Sequence, residues 1–392
     1  MRILANDGLA QEGIALLERH GFEVDTHKRD HDKLIAEIAG FDGLIVRSAT
    51  KVSRDIVEAA ARLKIIGRAG VGYDNIDVQA ASEHGIVVKF APYGNTNATA
   101  ELALGLMLAL SRNIPQAHGA LKAGLWIKRE YMGVELAGKT LGIVGCGRIG
   151  QRLSQLVRGF DMNVIGYDRY PAEDTRITFL PSIQSVLENA DYVSVHTAGK
   201  EEVIGARELA WMKPSAYLIN TSRGYAVNER ALYDALKQGK IAGAGLDVYS
   251  DEPKGEGASF SADFRELDGV VMTPHLGAST AEAERKTALE IAEAVVGYLS
   301  GGDWRGSVNA GEQVTEEDRP TFPLFIFHRD TPGMFAKIDT VLANHGINIR
   351  EISARVVGSG GDVQAVYLLH NEVGPEILRE LEGIGGVYNV KR

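Results

Sequence analysis

Short apolar runs alternate with amphipathic stretches along most of the chain. In residues 1–95 the apolar runs are Arg2–Ala5, Gly43–Val46, 64–67 and 85–88. Residues 11–20 and 53–63 have apolar positions at helical spacing, and Ser53 stands where a helix N-cap is expected. Continuous apolar runs separated by helices are typical of parallel strands covered on both faces, so we predict a small open α/β sheet.

A second region has the same rhythm with a glycine-rich turn inside it. The strand Thr140–Val144 leads directly into the turn at residues 145–150, which is followed by a helical pattern and by a second strand, Asn163–Tyr167, before Asp168. Most glycine triplets only turn the chain, so the flanking strands, helix and acid are what make the signal specific. Their order predicts a dinucleotide-binding unit.

Each glycine of this turn has a physical reason. Gly145 allows a tight turn out of the strand, Gly147 removes a side chain where a pyrophosphate approaches the backbone, and Gly150 lets the helix pack close to the sheet. The helix N-terminus offers free N–H groups to the phosphates. Asp168 is suited to both ribose hydroxyls and repels a 2′-phosphate, which favours NAD, although Arg169 beside it is suited to hold that phosphate.

Composition limits the class of protein. The chain has 392 residues, 45% of them hydrophobic, and a net charge of −10, so we expect two or three globular domains and no nucleic-acid partner. The single cysteine, Cys146, excludes an intrachain disulfide, and we predict no metal site. The N-terminus lacks the apolar core of a signal peptide, and no run is long enough to span a membrane, so we expect a cytoplasmic protein.

Polar residues follow successive apolar runs in the second region. The runs at Tyr192–Val195, 216–220, 244–246 and 269–272 end at Thr197, Arg223, Asp247 and His275 respectively, and Glu252 follows shortly after Asp247. Parallel strands end at one edge of their sheet, so these side chains should gather beside the cofactor.

An arginine, a glutamate and a histidine beside a nicotinamide have a joint use in oxidising a 2-hydroxy acid. His275 is suited to take the hydroxyl proton, Glu252 to fix its tautomer, and Arg223 to bind the carboxylate. Asp247 is suited to orient the nicotinamide amide. Taken singly, these residues also have structural explanations. A histidine that follows a proline, as His275 does, is more often structural, and Glu252, which precedes Pro253, is suited to cap a helix.

At three further sites the sequence is explained both by a functional role and by a structural one. Arg47 and Ser48 follow a strand directly and suit a carboxylate or phosphate, but Arg47 is equally explained as a surface ion pair. Asn95 lies in the polar turn that begins a long apolar helix, and it either faces a cleft or caps that helix. Trp126, flanked by cations, either completes a neighbouring subunit's site or packs in an interface.

Several segments resemble the D-2-hydroxyacid dehydrogenase family. They are residues 145–150, 220–224, 243–248 with Glu252 and Pro253, and 274–278. The resemblance implies two Rossmann-like, doubly wound parallel-sheet domains with the active site between them, in a homodimer or homotetramer. It places a substrate-binding domain at residues 1–95 and 287–303 and an NAD-binding domain at 96–286.

Residues 46–50, 67–75 and 132–136 are similar to the branch of this family that oxidises 3-phosphoglycerate for serine synthesis. The resemblance implies catalytic roles for Arg223, Glu252 and His275, and substrate contacts from Arg47, Ser48, Asn95 and Arg223. Trp126 and Lys128 are similar to residues offered across a dimer, and Glu252 argues against the formate dehydrogenases, which carry Gln there. The implied cofactor-binding residues are Val71, Gly145, Gly147, Arg148, Ile149, Gly150, Asp168, Thr197, Thr221, Asp247 and His275.

The tail forms a separate unit after a polar linker at residues 304–320. Residues 321–392 have the order βαββαβ, and they resemble an ACT domain, a ferredoxin-like module that senses amino acids. The resemblance implies L-serine as an effector, with His328 and Asn348 at the sensing positions. Asp330 stands where serine-inhibited relatives often have Asn, and a dimerisation module without a ligand is the alternative.

Two other functions stay open on the sequence. One is reduction of hydroxypyruvate, glyoxylate or 2-oxoglutarate, in which Arg47 and Ser48 would matter little because these substrates carry no phosphate. The other, from a different class, is an NAD-sensing corepressor. The ACT-like tail and the lack of basic segments count against the corepressor.

Overall fold

The computed structural model describes residues 1–171, 176–199, 201–253, 257–303, 305–309, 322–357 and 362–391. The described chain divides into two compact units, Met1–Val308 and Asn309–Arg392. Residues 304 and 310–320 of the predicted linker lie outside the described residues. The predicted fold class is confirmed, with two parallel sheets in the first unit and a small antiparallel sheet in the second.

The first lobe of the larger unit is a five-stranded sheet with all pairs parallel and the order β2-β1-β3-β4-β5. Its strands are β1 (Arg2–Ala5), β2 (Glu23–Asp25), β3 (Gly43–Val46), β4 (Ile65–Arg68) and β5 (Val87–Phe90). Its helices are α1 (Gln11–Arg19), α2 (His31–Glu37), α3 (Arg54–Ala59) and α4 (Val78–Glu83).

Two predicted elements of this lobe differ in detail. Strand β5 begins two residues later than expected, because Gly85 adopts a positive φ of 68° as the chain leaves α4. Helix α3 ends at Ala59 rather than at residue 63. Ser53 holds the N-cap position of α3, but its hydroxyl donates to Asp55 instead of accepting from the helix backbone.

The second lobe is a seven-stranded parallel sheet with the order β12-β11-β10-β9-β6-β7-β8. Its strands are β6 (Thr140–Val144), β7 (Asn163–Tyr167), β8 (Thr178–Phe179), β9 (Tyr192–Val195), β10 (Tyr217–Asn220), β11 (Gly243–Leu246) and β12 (Val270–Met272). Its helices are α5 (Thr96–Ser111), α6 (Ile114–Lys122), α7 (Arg148–Leu156), α8 (Ile183–Asn189), α9 (Ala206–Trp211) and α10 (Glu229–Lys237). The strand order reverses between β6 and β9, and ligands of such sheets bind at that point.

The chain crosses between the lobes twice. The first crossing leads into α5, which packs on α7, β10 and β11. The second leads into α11 (Ala281–Gly301), which returns to pack on α1, β4 and β5. A Cβ on Gly94 would overlap Thr287, so the two crossings lie directly against each other.

The second unit has the predicted βαββαβ order. It consists of β13 (Phe322–Arg329), α12 (Met334–Asn344), β14 (Ile349–Val357), β15 (Asp362–Leu369), α13 (Pro375–Glu382) and β16 (Val387–Lys391). The sheet order is β14-β15-β13-β16, with antiparallel pairs. Helix α12 begins after Gly333, whose φ is 81°, so Pro332 lies just outside the helix. None of the helices in the described ranges is long and apolar enough to cross a membrane.

Candidate active site

The glycine turn between β6 and α7 has two glycines that the fold itself requires. A Cβ on Gly145, whose φ is 88°, would come within 2.8 Å of the backbone of His196. One on Gly150 would come within 2.6 Å of the carbonyl oxygen of Gly145. A Cβ on Gly147 meets no atom within 4 Å. Packing therefore does not explain Gly147, and the close approach of a phosphate group to its backbone stays a prediction.

Asp168 follows β7 and lies against this turn. One of its carboxylate oxygens accepts from the backbone N–H of Cys146 at 2.7 Å, and the other accepts from that of Tyr170 at 2.9 Å. The adjacent Arg169 is paired with Glu201 at 2.7 Å, and its side chain is 72% exposed. Burial and the nearby Asp168 raise the pKa of the Cys146 thiol to about 12, so this cysteine is not poised for redox chemistry.

Polar atoms without partners lie at the same edge of the sheet. Thr197 and Thr221 follow β9 and β10. Their Oγ1 atoms and the Nδ1 atom of His196 are buried, and none of the three has a hydrogen-bond partner among the described residues. Buried groups of this kind normally find a partner, because leaving them unpaired costs stability. Together with the N-terminus of α7, they fit a bound dinucleotide.

The predicted acid and base are in contact. His275 Nδ1 lies 2.8 Å from one carboxylate oxygen of Glu252 and 3.0 Å from the other. The hydrogen bond to Glu252 raises the pKa of His275 above its ordinary value, against the opposing effect of burial. Burial pushes the pKa of Glu252 upward, but His275, the backbone N–H of Tyr249 and the charge of Arg223 together lower it, and the net shift is downward. Because Glu252 engages Nδ1, Nε2 is the nitrogen left for a substrate.

The backbone of His275 is held in an unusual conformation. Its φ is 54°, in the left-handed region that residues other than glycine seldom adopt. Asp247, which is fully buried, accepts from Thr273 Oγ1 at 2.6 Å and from the backbone N–H groups of Leu276 and Gly277 at 2.7 and 2.9 Å. These bonds fix the loop on both sides of His275. Neither carboxylate oxygen of Asp247 is free of this loop, and its predicted contact with the nicotinamide amide stays a prediction.

Arg223 reaches out of the second lobe to the first. Its Nε donates to Asp74 at 3.0 Å, and one terminal nitrogen donates to the carbonyl of Ser222 at 2.8 Å. Asn220 braces this turn, since its amide donates to the carbonyl of Arg223 and its oxygen accepts from Ser222. The arginine therefore lies in the cleft between the two sheets, on the side that carries His275.

The turn that carries Arg47 and Ser48 is fixed by a buried carboxylate. Asp7 accepts from the backbone N–H groups of Arg47 and Thr50 at 2.8 and 3.0 Å. The Arg47 guanidinium is paired with Glu284 at 2.6 Å, and both side chains are about half exposed. The surface ion pair that the sequence left open therefore exists, and an anionic ligand would have to displace Glu284.

Arg68 is a third arginine of the cleft, and the sequence motifs did not predict a role for it. It ends β4 opposite Val46, the last residue of β3 before Arg47, and its Nε is buried without a partner among the described residues. Burial, followed by the charges of Arg223 and Arg47, lowers the pKa of Arg68 to about 10. The available signal was an apolar run ending on a cation, the same pattern as at Arg47. Arg47 and Arg68 lie at neighbouring strand ends, and the charge of Arg223 also acts on Arg68, so this part of the cleft favours an anionic ligand with more than one charged group.

The other residues predicted to contact substrate, cofactor or a neighbouring subunit differ in burial and in their partners. Asn95 holds the N-cap position of α5 without a side-chain cap bond, and its Oδ1 is buried and unpartnered among the described residues. The guanidinium of Arg148, at the first position of α7, lies 5.0 Å from the ring centre of Tyr93. Ile149 follows in the first turn of α7, and Val71 is half-buried in the loop after β4. Trp126 is 80% exposed.

The predicted sensing residues of the second unit differ in burial. His328 is 1% exposed; its Nδ1 donates to the carbonyl of Arg329, and its Nε2 has no partner among the described residues. Asp330, directly after β13, and Asn348, directly before β14, are both exposed. A buried imidazole nitrogen without a partner beside exposed polar side chains is compatible with a ligand site.

Two known families match the chain. Residues 104–277 match the family described as D-isomer specific 2-hydroxyacid dehydrogenase, NAD binding domain. Residues 324–386 match the ACT domain family.

Individual proteins are similar over most of the larger unit. The chain is 43% identical over 308 residues to a D-3-phosphoglycerate dehydrogenase of Methanocaldococcus jannaschii, covering 77% of this chain but 58% of that protein. It is 42% identical over 299 residues to a hydroxypyruvate reductase of Thermotoga maritima, covering 75% of this chain and 97% of that protein. A crystal structure of NAD⁺-bound 3-phosphoglycerate dehydrogenase from Entamoeba histolytica matches with a TM-score of 0.67 and 27% identity, over 79% of this chain and 98% of that one.

Proposed function

Since the chain belongs to the D-isomer specific 2-hydroxyacid dehydrogenase family, we propose that it oxidises 3-phosphoglycerate to 3-phosphohydroxypyruvate with NAD, the first step of L-serine biosynthesis. The observation that carries this proposal is the placement of Arg47 and Arg68 at neighbouring strand ends, with Arg223 bound to Asp74 in the loop that follows Arg68. The substrate carries its carboxylate at C1 and its phosphate on C3. The carboxylate engages one of these guanidiniums, and the phosphate engages the other two.

The chain's own residues divide the chemistry among them. His275 Nε2 takes the C2 hydroxyl proton, and Glu252 on Nδ1 stabilises the imidazolium that forms. Arg223 binds the carboxylate and polarises the developing carbonyl, while Arg47 and Arg68, with Ser48 and Asn95, bind the phosphate end. NAD, when bound, supplies the acceptor for the hydride that leaves C2.

This assignment gives each lobe a task. We propose that residues 1–95 and 287–303 form the substrate-binding domain and residues 96–286 the NAD-binding domain. The lobe around β1–β5 contributes Arg47 and Arg68, and the lobe around β6–β12 contributes the glycine turn and His275. Closure of the cleft between them would exclude water from the reacting atoms.

A panel of substrates tests the proposal and separates it from the alternatives. With NAD, 3-phosphoglycerate should give a kcat/KM at least tenfold above that of D-glycerate or D-2-hydroxyglutarate. A preference for hydroxypyruvate or glyoxylate reduction without any gain from the phosphate would support the reductase alternative. Absence of turnover on every 2-hydroxy acid, with NAD binding intact, would leave the corepressor.

The pH dependence should follow His275. Oxidation needs its neutral form, and the Glu252 contact raises its pKa, so kcat/KM for oxidation should rise with pH through a midpoint above the ordinary histidine value. Reduction needs the protonated form and should fall through the same midpoint. Glu252→Gln removes the charge that raises this pKa and should move the midpoint to lower pH. An unchanged midpoint in that variant would show that His275 is not the titrating base.

Cofactor preference should depend on Asp168. We propose NAD over NADP, because the Asp168 carboxylate sits at the end of β7 beside the glycine turn and Arg169 is engaged by Glu201. Asp168→Ala should lower the ratio of kcat/KM for NAD to that for NADP by about 10²-fold, from loss of ribose hydrogen bonds and of phosphate repulsion. Arg207→Ala, at an exposed arginine of the same lobe, serves as a control. A wild type that prefers NADP would overturn the proposal.

We propose that L-serine binds the second unit and inhibits the enzyme. The support is the ACT match together with the unpartnered Nε2 of His328 and the exposed Asp330. An Asp330 carboxylate accepts from the ammonium group of serine but repels its carboxylate, so Asp330→Asn should strengthen inhibition. Initial rates titrated with L-serine, with D-serine as control, test this. No inhibition at millimolar L-serine would end the proposal.

The segment between α6 and β6 supports a homo-oligomer. Leu125, Trp126 and Met132 are 53%, 80% and 83% exposed, and α6 itself buries none of its residues. An apolar stretch this exposed marks an interface. We propose that a second copy covers it, with Lys128 close to the partner's cleft. Sedimentation at micromolar concentration should show at least a dimer, and a single-chain mass would contradict the proposal.

A further inference from the structure

The loop after β4 touches both of the arginines that would bind the two ends of the substrate. Residues 72–75 belong to the first lobe and face the cleft. Gly72 and Asp74 contact Arg223 of the second lobe, and Asn75 contacts the turn that carries Arg47. One short segment therefore touches a group from each side of the cleft.

The contact with Arg223 rests on two independent features. Asp74 accepts from Arg223 Nε at 3.0 Å, and one terminal nitrogen of the same guanidinium donates to the carbonyl of Ser222 at 2.8 Å. A Cβ on Gly72 would overlap the guanidinium, so the arginine lies directly on the backbone of this glycine. The side chain of Arg223 is 25% exposed, and that of Asp74 is 45% exposed. The carboxylate-binding group is therefore held in position by the opposite lobe.

The contact with Arg47 acts through the backbone. The side-chain amide of Asn75 donates to the carbonyl of Arg47 at 2.8 Å and to that of Thr50 at 2.6 Å. Asp7 meanwhile accepts from the N–H groups of the same two residues. Hydrogen bonds thus hold both the carbonyl groups and the N–H groups of Arg47 and Thr50. The backbone from which the Arg47 side chain extends is therefore fixed relative to residues 72–75.

We propose that residues 72–75 act as a spacer that fixes the separation of the carboxylate-binding and phosphate-binding arginines, and so selects 2-hydroxy acids by length. This rests on the proposed function, because it assigns one end of the substrate to each arginine. A substrate that carries a phosphate on the carbon after C2 spans both groups, whereas its unphosphorylated counterpart engages Arg223 alone. Gly72, Asp74 and Asn75 are positioning residues, since they act through the two arginines.

Two substrates that differ only by the phosphate separate the two contacts. Hydroxypyruvate and 3-phosphohydroxypyruvate, reduced with NADH, should both show a KM raised about tenfold in Asp74→Ala, because each needs Arg223. Asp74→Asn keeps an oxygen acceptor and should restore part of the loss. Asn75→Ala should raise the KM for 3-phosphohydroxypyruvate about tenfold more than that for hydroxypyruvate. Glu83→Gln is the matched control, a carboxylate 45% exposed and paired with Arg54 at 2.7 Å away from the cleft.

The readouts distinguish positioning from a general structural role. NADH affinity, measured by fluorescence, should stay unchanged in the Asp74 and Asn75 variants. Equal effects of Asn75→Ala on both substrates, or no effect of Asp74→Ala on either, would overturn the spacer. A wild type that reduces hydroxypyruvate but not its phosphate ester would instead overturn the proposed function. The effect of Asp74 on hydroxypyruvate would still decide the Arg223 contact.

Discussion

Replacing His275 with alanine is expected to lower kcat for 3-phosphoglycerate oxidation by about 10³-fold, within the range that general acid–base catalysis supplies. The reason is geometric. Glu252 engages Nδ1 at 2.8 Å, and the loop around His275 is fixed by Asp247, so Nε2 is presented in one orientation. Without the imidazole, the proposed acceptor of the C2 hydroxyl proton is lost. Stopped-flow measurement of NADH formation under single-turnover conditions reports this step directly.

NAD affinity should change little in His275→Ala, because the glycine turn and Asp168 are untouched. Added imidazole should restore part of the rate, since it can fill the place of the lost side chain. His20→Ala is a suitable control, because His20 is exposed on the first lobe and its side chain donates to the carbonyl of Leu16. A rate within tenfold of the wild type would show that another group takes the proton.

Arg223→Gln is expected to lower kcat/KM by about 10³-fold, because it removes the charge proposed to bind the carboxylate and leaves Asp74 without its ion-pair partner. KM and kcat should both worsen, since the guanidinium binds the substrate and also polarises the carbonyl that forms. Arg223→Lys retains the charge but loses the planar fork, so it should recover less than a tenth of the loss in rate. Steady-state kinetics with 3-phosphoglycerate measure both parameters.

The control for this variant is Arg207→Gln, at an arginine of the same lobe that is 77% exposed and paired with Glu208. It should leave both parameters unchanged. If Arg223→Gln kept its KM within threefold of the wild type, the carboxylate would have to be bound elsewhere. Arg68 would then be the next arginine to replace.

Much of the fold follows from the spacing of apolar residues. Buried runs such as Thr140–Val144 have few alternatives to a covered parallel strand, and the βαββαβ order of the tail could be predicted for the same reason. The errors lie at boundaries. Strand β5 starts late because a glycine at positive φ intervenes, and α3 stops early at Ala59. Such local choices depend on packing that spacing alone does not encode.

The candidate site was only partly predictable. The positions of Arg223, Glu252 and His275 after predicted strands made them candidates, and the structure places Glu252 and His275 in contact. The pairs Arg223–Asp74 and Arg47–Glu284 join residues 149 and 237 positions apart, and no periodicity reports on such distances. The support that Asp247 gives to a left-handed His275 depends in the same way on how two strand ends meet.

A crystal structure of the enzyme with NAD and 3-phosphoglycerate, trapped in the Glu252→Gln variant, tests the central claim most directly. We expect His275 Nε2 within about 3.2 Å of the C2 hydroxyl oxygen, hydrogen bonds from Arg223 to the carboxylate, and the phosphate on Arg47 and Arg68. A substrate bound with its C2 hydroxyl out of reach of His275, or with its carboxylate away from Arg223, would contradict it.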